Sequence, residues 1–134
     1  MKYMLDTDIC IYIIRKKSQS AINHLRATNL LDVGISSIVL SELEYGVSKS
    51  SQPARNQQAL TEFLLPIQVV SYDHLAAREY GPLRAHLEKQ GTVIGSLDMP
   101  IAAHALALSC ELITNNEGEF RRVPGLRVQN WAKG

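Results

Sequence analysis

The sequence has no surplus of charge: 14 basic residues stand against 13 acidic ones, for a formal net charge of +1. That balance excludes a strong overall field toward nucleic acid or membrane, so any contact with a polyanion has to use local patches. Cysteine is scarce. Cys10 and Cys110 sit in apolar surroundings, and neither lies in a CxxC or Cys/His ligand spacing, which points to reduced core thiols in a reducing compartment. His24, His74, His86 and His104 form no ligand spacing with one another or with cysteine. Long apolar runs are missing too, and none approaches the ~20 residues that span a bilayer. Asp6 and Asp8 interrupt the N-terminal stretch where a signal peptide needs an apolar segment. A soluble, cytoplasmic protein with no membrane contact is expected.

What is present describes an ordinary globular protein. The 134 residues are 46% hydrophobic and 20% charged, and this length suits one domain over residues 1–134 with a sizeable core. Residues 3–5 form an apolar run that halts at Asp6, and an apolar helical pattern begins at Ile9. Ser18 or Ser20 can cap a second helix through about Leu31. Residues 33–36 read as a second strand. It leads into a helix with Ser36 or Ser37 as N-cap, Leu40, Leu43 and Val47 on its inner face, and Glu42 about two turns along. Pro53 suits the first position of a helix to about Leu65, and residues 67–71 supply a third strand. Asp73 then caps a long helix ended by Gly91, with Leu75, Tyr80, Leu83 and Leu87 near helical spacing. Pro82 lies inside that pattern and should kink or split it. A glycine-bounded loop delivers Asp98 to an Ala-rich helix over residues 100–108. Residues 112–114 read as a fourth strand, 115–120 as a turn and short helix, and 126–128 as a fifth strand. Strands alternating with helices predict an α/β fold with a parallel sheet covered on both faces.

Four segments bring acid or amide groups soon after a strand or at a helix start: Asp6, Glu42, Asp98, and the turn Asn115-Asn116-Glu117-Gly118-Glu119. With parallel strands, their carboxyl ends share the edge where open α/β sheets bind ligands. Clustered carboxylates repel one another and need a proton or a cation to stay together. Hard ions such as Mg²⁺ or Mn²⁺ prefer oxygen ligands, activate water and stabilise charge building on a phosphate. The chemistry implied is metal-assisted phosphodiester hydrolysis. Taken singly, Asp98 reads as a helix cap and Glu42 as a solvated surface residue. Asp6, ending a buried strand, is poorly placed for casual solvation, and the joint pattern outweighs the separate readings.

Leu5-Asp6-Thr7, the segment from Ile35-Ser36-Ser37 through Ser41-Glu42-Leu43 to Tyr45-Gly46, the run Ile94-Gly95-Ser96-Leu97-Asp98 followed by Ile101-Ala102-Ala103-His104-Ala105, and Thr114-Asn115-Asn116 with Glu119-Phe120 together resemble VapC toxins. These are PIN-domain ribonucleases of bacterial toxin–antitoxin modules. The likeness runs along nearly the whole chain, to Val123-Pro124-Gly125-Leu126 and Asn130-Trp131. It implies a PIN-like domain in which helices sandwich a five-stranded parallel sheet. It also implies Mg²⁺ or Mn²⁺ held by Asp6, Glu42 and Asp98, a fourth site position between Asn116 and Glu119, and Thr7 and Ser37 as supporting hydroxyls. A VapB-type antitoxin whose tail enters the acidic groove is implied as partner, with a homodimer or a toxin–antitoxin hetero-oligomer, and operator DNA reached only through the antitoxin. Initiator tRNA, cut in the anticodon stem-loop, is the implied substrate. Two positions depart from the pattern. Asp8 stands where Asn is frequent and reads as a helix cap or an outer group beside the site. Asn116 stands where many relatives have Asp, which makes Glu119 the better acidic candidate.

Two other readings compete. Asp6-Thr7-Asp8 also resembles the two-aspartate motif of haloacid-dehalogenase-type phosphatases, although Cys10 stands where that motif wants Thr or Val. The chain is also short for that family's cap and later lysine. The non-enzymatic alternative is a folded RNA- or protein-binding module with a vestigial site. Arg15-Lys16-Lys17 and Arg121-Arg122, with Arg84 and His86, read as solvated faces before they read as RNA contacts. His104 reads as a packing residue, and Tyr45 and Tyr80 as core or dimer-surface aromatics.

Overall fold

The computed structural model describes residues 1–133. Its centre is β1 (Tyr3–Leu5), flanked by β2 (Val33–Ser36) and β4 (Glu111–Ile113), with β3 (Gln68–Val70) and β5 (Val128–Gln129) at the edges. All neighbours pair in parallel, in the order β3-β2-β1-β4-β5. The chain builds outward from β1 to β3, then crosses back to add β4 on the other side of β1. The direction of winding therefore reverses between β1 and β4, and ligands of open α/β sheets bind beyond the strand ends at such a reversal. Strands buried on both faces are expected to be continuous apolar runs. Met4, Leu5, Val33, Ile35, Leu112 and Ile113 are all buried. At Gly34 an added Cβ would stand 2.8 Å from the Gln68 carbonyl oxygen, so β2 approaches β3 closely only with glycine there.

Around the sheet lie α1 (Thr7–Ile14), α2 (Gln19–Ala27), α3 (Ser37–Ser48), α4 (Pro53–Leu64), α5 (His74–Gln90), α6 (Asp98–Leu108) and the short α7 (Glu117–Phe120). α6 is the most enclosed: Met99, Ile101, Ala102, Ala103, His104 and Ala105 are buried, and its small alanines let α5 lie close along it. Trp131 stacks on His24 with ring centroids 5.5 Å apart and tilts against Tyr3 at 5.6 Å, which ties the C-terminal segment to α2 and β1. Cys10 and Cys110 are free and buried, as expected of core thiols. Among the described residues no helix is long and apolar enough to cross a membrane.

Several expectations need correction. α2 stops at Ala27, short of Leu31, because the Thr28 hydroxyl donates to the His24 carbonyl at 2.7 Å and Thr28 itself turns extended. Asn29 then caps a separate 3₁₀ turn, leaving Leu31 82% exposed. Pro82 does not split α5, which runs unbroken from His74 to Gln90. Pro82 is exposed, so water can satisfy the carbonyl its missing N–H would have served. Leu75 is 50% exposed and Ala76 takes its inward place, with Leu83 and Leu87. The cap of α1 is Asp6, which puts Asp8 in the first turn and not at a capping position. Asp98 is likewise no cap: it is the first residue of α6, and the residue before it makes no side-chain capping bond.

Candidate active site

The acids meet beyond the strand ends, at the β1–β4 boundary. Pairing of Leu5 with Ile113 sets Asp6 beside Thr114, and the Asp6 N–H continues the ladder by donating to the Ile113 carbonyl at 2.8 Å. The Asp6 carboxylate is 5% exposed. Its Oδ1 accepts the Thr7 N–H at 2.7 Å and its Oδ2 accepts the Thr114 hydroxyl at 2.8 Å. Burial, then the charge of Asp8, push this carboxyl up to about 7; the bonds from Thr114 and Thr7 oppose the shift, and Asp98 adds to it. A carboxylate so situated sits in a field that favours an added positive charge.

Asp98 enters the same field from the start of α6. Burial, the charge and hydrogen bond of Glu119, and the charges of Glu42 and Asp8 push its carboxyl up to about 6. Glu42 comes from α3 and is steered by Thr7, whose hydroxyl donates to Glu42 Oε1 at 2.8 Å. Glu119, on α7, accepts the Gly95 N–H at 2.6 Å and the side-chain amide of Asn116. At Gly95 an added Cβ would lie 2.6 Å from Asp98 Oδ2, so a side chain there would push that carboxylate aside. Asp8 accepts the Asn115 N–H at 3.4 Å, and burial raises its carboxyl as well.

Asp6, Glu42, Asp98 and Glu119 thus share one edge, with Thr7 as the expected supporting hydroxyl. Ser37 is not drawn into this group; its hydroxyl accepts the Tyr72 N–H at 2.9 Å and secures the loop before α5. Asn116 holds Glu119 and donates its own N–H to Thr114 Oγ1 at 2.9 Å. Thr114 and Gly95, named above only within the family pattern, contact the acids directly and were not among the expected site residues. Asp6 and Thr114 each follow the last residue of adjoining parallel strands, so a known register would have paired them.

The donors suit a hard divalent cation. Every side chain that faces this edge with a negative charge offers oxygen, and two of the carboxyls bind protons far more readily than free ones. Among the described residues, no three Asp, Glu, His or Cys are drawn close enough to hold an ion as they stand. The acids share an edge and one another's fields; they do not form a closed cage.

Residues 3–126 match the PIN domain family. The chain is 46% identical over 135 residues to ribonuclease VapC2 of Rickettsia felis, covering 99% of this chain and 100% of that protein. It is 42% identical to the tRNA(fMet)-specific endonuclease VapC of Shigella flexneri, with 98% and 99% of the two chains covered. The fold matches the crystal structure of DNA-bound VapBC from Salmonella typhimurium with a TM-score of 0.93 at 40% identity, over 98% of each chain. The phosphatase reading of Asp6-Thr7-Asp8 is thereby overturned: in this fold Asp6 is held by Thr7 and Thr114 and feels the charge of Asp98 on α6. On its matched residues, its full-length relatives and its acid-bearing sheet edge, the chain belongs to the PIN-domain family and, within it, to the VapC ribonucleases.

Proposed function

We propose that this chain is the toxin of a VapBC module and hydrolyses tRNA, initiator tRNA at the anticodon stem-loop being the substrate. The observation that carries the reading is the meeting of Asp6, Glu42, Asp98 and Glu119 at the β1–β4 reversal, with the Asp6 and Asp98 carboxyls lifted to about 7 and about 6. Asp6, Glu42 and Asp98 would hold Mg²⁺ or Mn²⁺, and Glu119 or Asn116 would complete the site. Such an ion lowers the pKa of bound water and neutralises charge on the phosphate. The chain's own groups do the rest. Thr7 and Thr114 keep the Asp6 carboxylate in one orientation, and Thr7 aims Glu42. Glu119, fixed by the Gly95 N–H, orients the attacking water. The water oxygen bonds to phosphorus and gives its proton to Glu119 as the bond to the 3′ oxygen breaks, and the 3′ oxygen takes up a proton from solvent, leaving a 5′-phosphate and a 3′-hydroxyl.

The rest of the reading follows from relatives and surface. A VapB-type antitoxin is the proposed partner, since the Salmonella relative is a VapBC complex on DNA. A groove between α1, α3 and α4 is lined by Ile11, Ile14, Leu43, Val47 and Leu60, with Glu42 and Arg15 also in its wall. It suits a segment that is apolar along its length and basic where it meets the acids. Operator DNA would be reached through the antitoxin, because the net charge of +1 gives the chain little attraction of its own. Residues 1–134 would act as one PIN unit in the cytoplasm, as a homodimer or within a hetero-oligomer. The test is incubation of the purified chain with a tRNA panel. Initiator tRNA should be cut with Mg²⁺ or Mn²⁺ and spared with EDTA, and a folded Asp6→Ala variant should cut nothing. Full activity in that variant would sink the reading, and tight partner binding without any cleavage would favour the non-catalytic module.

A further inference from the structure

Ser36 serves two elements at once. Its hydroxyl oxygen accepts the Ile38 N–H at 3.1 Å as the N-cap of α3, and it meets Nδ1 of His104, on α6, at 2.9 Å. Both residues are fully buried. Next to it, Ser37 accepts the Tyr72 N–H, and the Tyr72 ring stands edge-on to the His104 imidazole with centroids 5.5 Å apart. Glu42 rides on α3, and Asp98 opens α6. The two helices that carry these acids are therefore joined by a buried hydrogen bond between residues 68 apart in sequence, at the N-cap of α3 and the middle of α6, so that each helix carries its acid from that fixed point. Apolar contacts hold helices together but tolerate small shifts, whereas a buried directional bond selects one register.

Histidine is an expensive way to fill this space. Among the described residues, its Nε2 is a buried side-chain nitrogen with no partner, and such a group destabilises the fold. An apolar side chain would pack there without that cost, so what histidine adds is the bond to Ser36.

We propose that His104 is a positioning residue for the nuclease centre: through Ser36 it fixes α3 against α6 and so sets Glu42 relative to Asp98. The inference rests on the nuclease reading above. Three full-length variants separate the bond from the packing. His104→Asn keeps a polar atom near the place of Nδ1, His104→Gln carries its amide out toward Nε2, and His104→Leu has no polar atom. These, Ser36→Ala and the Ser36→Ala/His104→Leu double variant are compared in RNA cleavage, Mn²⁺ calorimetry and thermal unfolding. His104→Leu and Ser36→Ala should each lower kcat and weaken Mn²⁺ binding by about ten- to a hundred-fold, the upper end being the scale of misplacing a reacting group by about 1 Å, with KM for RNA unchanged. The double variant should lose no more than the worse single one. His104→Asn should restore most of the loss and His104→Gln should not. Wild-type kcat and Mn²⁺ affinity in a folded His104→Leu protein would overturn the proposal, as would equal values for Asn and Gln, which decide the matter if the Leu variant does not fold. A wild type that binds Mn²⁺ yet cuts no RNA defeats the nuclease reading alone, and the Mn²⁺ affinities of the variants still judge His104. A wild type that does neither overturns both.

Discussion

The Thr114 hydroxyl donates to Asp6 Oδ2 across 2.8 Å, joining two residues 108 apart in sequence at the ends of neighbouring parallel strands. The same oxygen accepts the Asn116 N–H at 2.9 Å, so one buried threonine orients Asp6 and anchors the turn proposed to carry the fourth site position. Thr114→Val keeps the shape and removes both bonds. Loss of a partner to a metal-binding group should cost about ten- to a hundred-fold in RNA cleavage. Stripping the buried Asp6 carboxyl of one of its two hydrogen bonds should cost about 1–3 kcal/mol of stability. Cleavage rates and urea unfolding of the same preparation check the two expectations separately.

Asp6 gives the metal-free protein an inverted pH dependence. Its carboxyl keeps its proton up to about 7 in the fold, against an ordinary value of 3.8. Between those values the folded chain binds more protons than the unfolded one, so stability falls as pH rises through that window. Asp98, lifted to about 6, acts in the same sense. His104, whose buried imidazole binds its proton less readily than usual, acts in the opposite sense, so the Asp6 share is read as a difference between proteins. Asp6→Asn, which keeps the shape and drops the charge, should melt above wild type near pH 8 and close to it below pH 4, in EDTA throughout. An unchanged difference across that range would refute the burial account of Asp6.

Gly95→Ala tests the floor beneath Asp98. The new Cβ would lie 2.6 Å from Asp98 Oδ2 and 3.3 Å from its Cγ. The atom in the way is the tip of a side chain on a half-buried rim, so Asp98 can swing aside at small cost in stability. Activity cannot escape so easily, because the carboxylate that moves is a site acid. The expected result is a loss of about a hundred-fold in cleavage, on the scale of misplacing a reacting group by about 1 Å, with a nearly unchanged melting temperature. Cleavage assays beside calorimetric melts would expose the opposite pattern.

The sequence made the skeleton of this site legible for physical reasons. A strand that ends at a carboxylate, as Leu5 passes to Asp6, is visible as an apolar run cut short. Asp73 and Gly91 mark the ends of α5 because capping and left-handed backbone each demand particular residues. The roles of Thr114 and Gly95 escaped notice because they depend on register and on a through-space approach, which local patterns do not encode. Pro82 leaves α5 unsplit for a reason equally hidden from local pattern: whether a proline breaks a helix depends on whether water can reach the carbonyl it abandons. Of the two readings of Asp8, the cap fails because Asp6 already occupies that position, while its charge does act on Asp6 and Asp98 from beside them.

The two side chains proposed for the fourth site position touch each other, and substitution separates them. Asn116 donates its amide to Glu119, and Glu119 also takes the Gly95 N–H at 2.6 Å. If Glu119 is the working group, Asn116 only steadies it, and the two substitutions should separate cleanly. Glu119→Gln removes a charge that faces Asp98 and should cost about a hundred-fold or more in cleavage, on the scale of a group acting on protons or charge in the transition state. Asn116→Ala leaves that charge in place, still held by Gly95, and should cost about ten-fold, as for other supporting partners. Mn²⁺ calorimetry gives the second axis: Glu119→Gln should weaken binding, Asn116→Ala much less. The reverse order in both measurements would assign the position to Asn116 and make Glu119 its support.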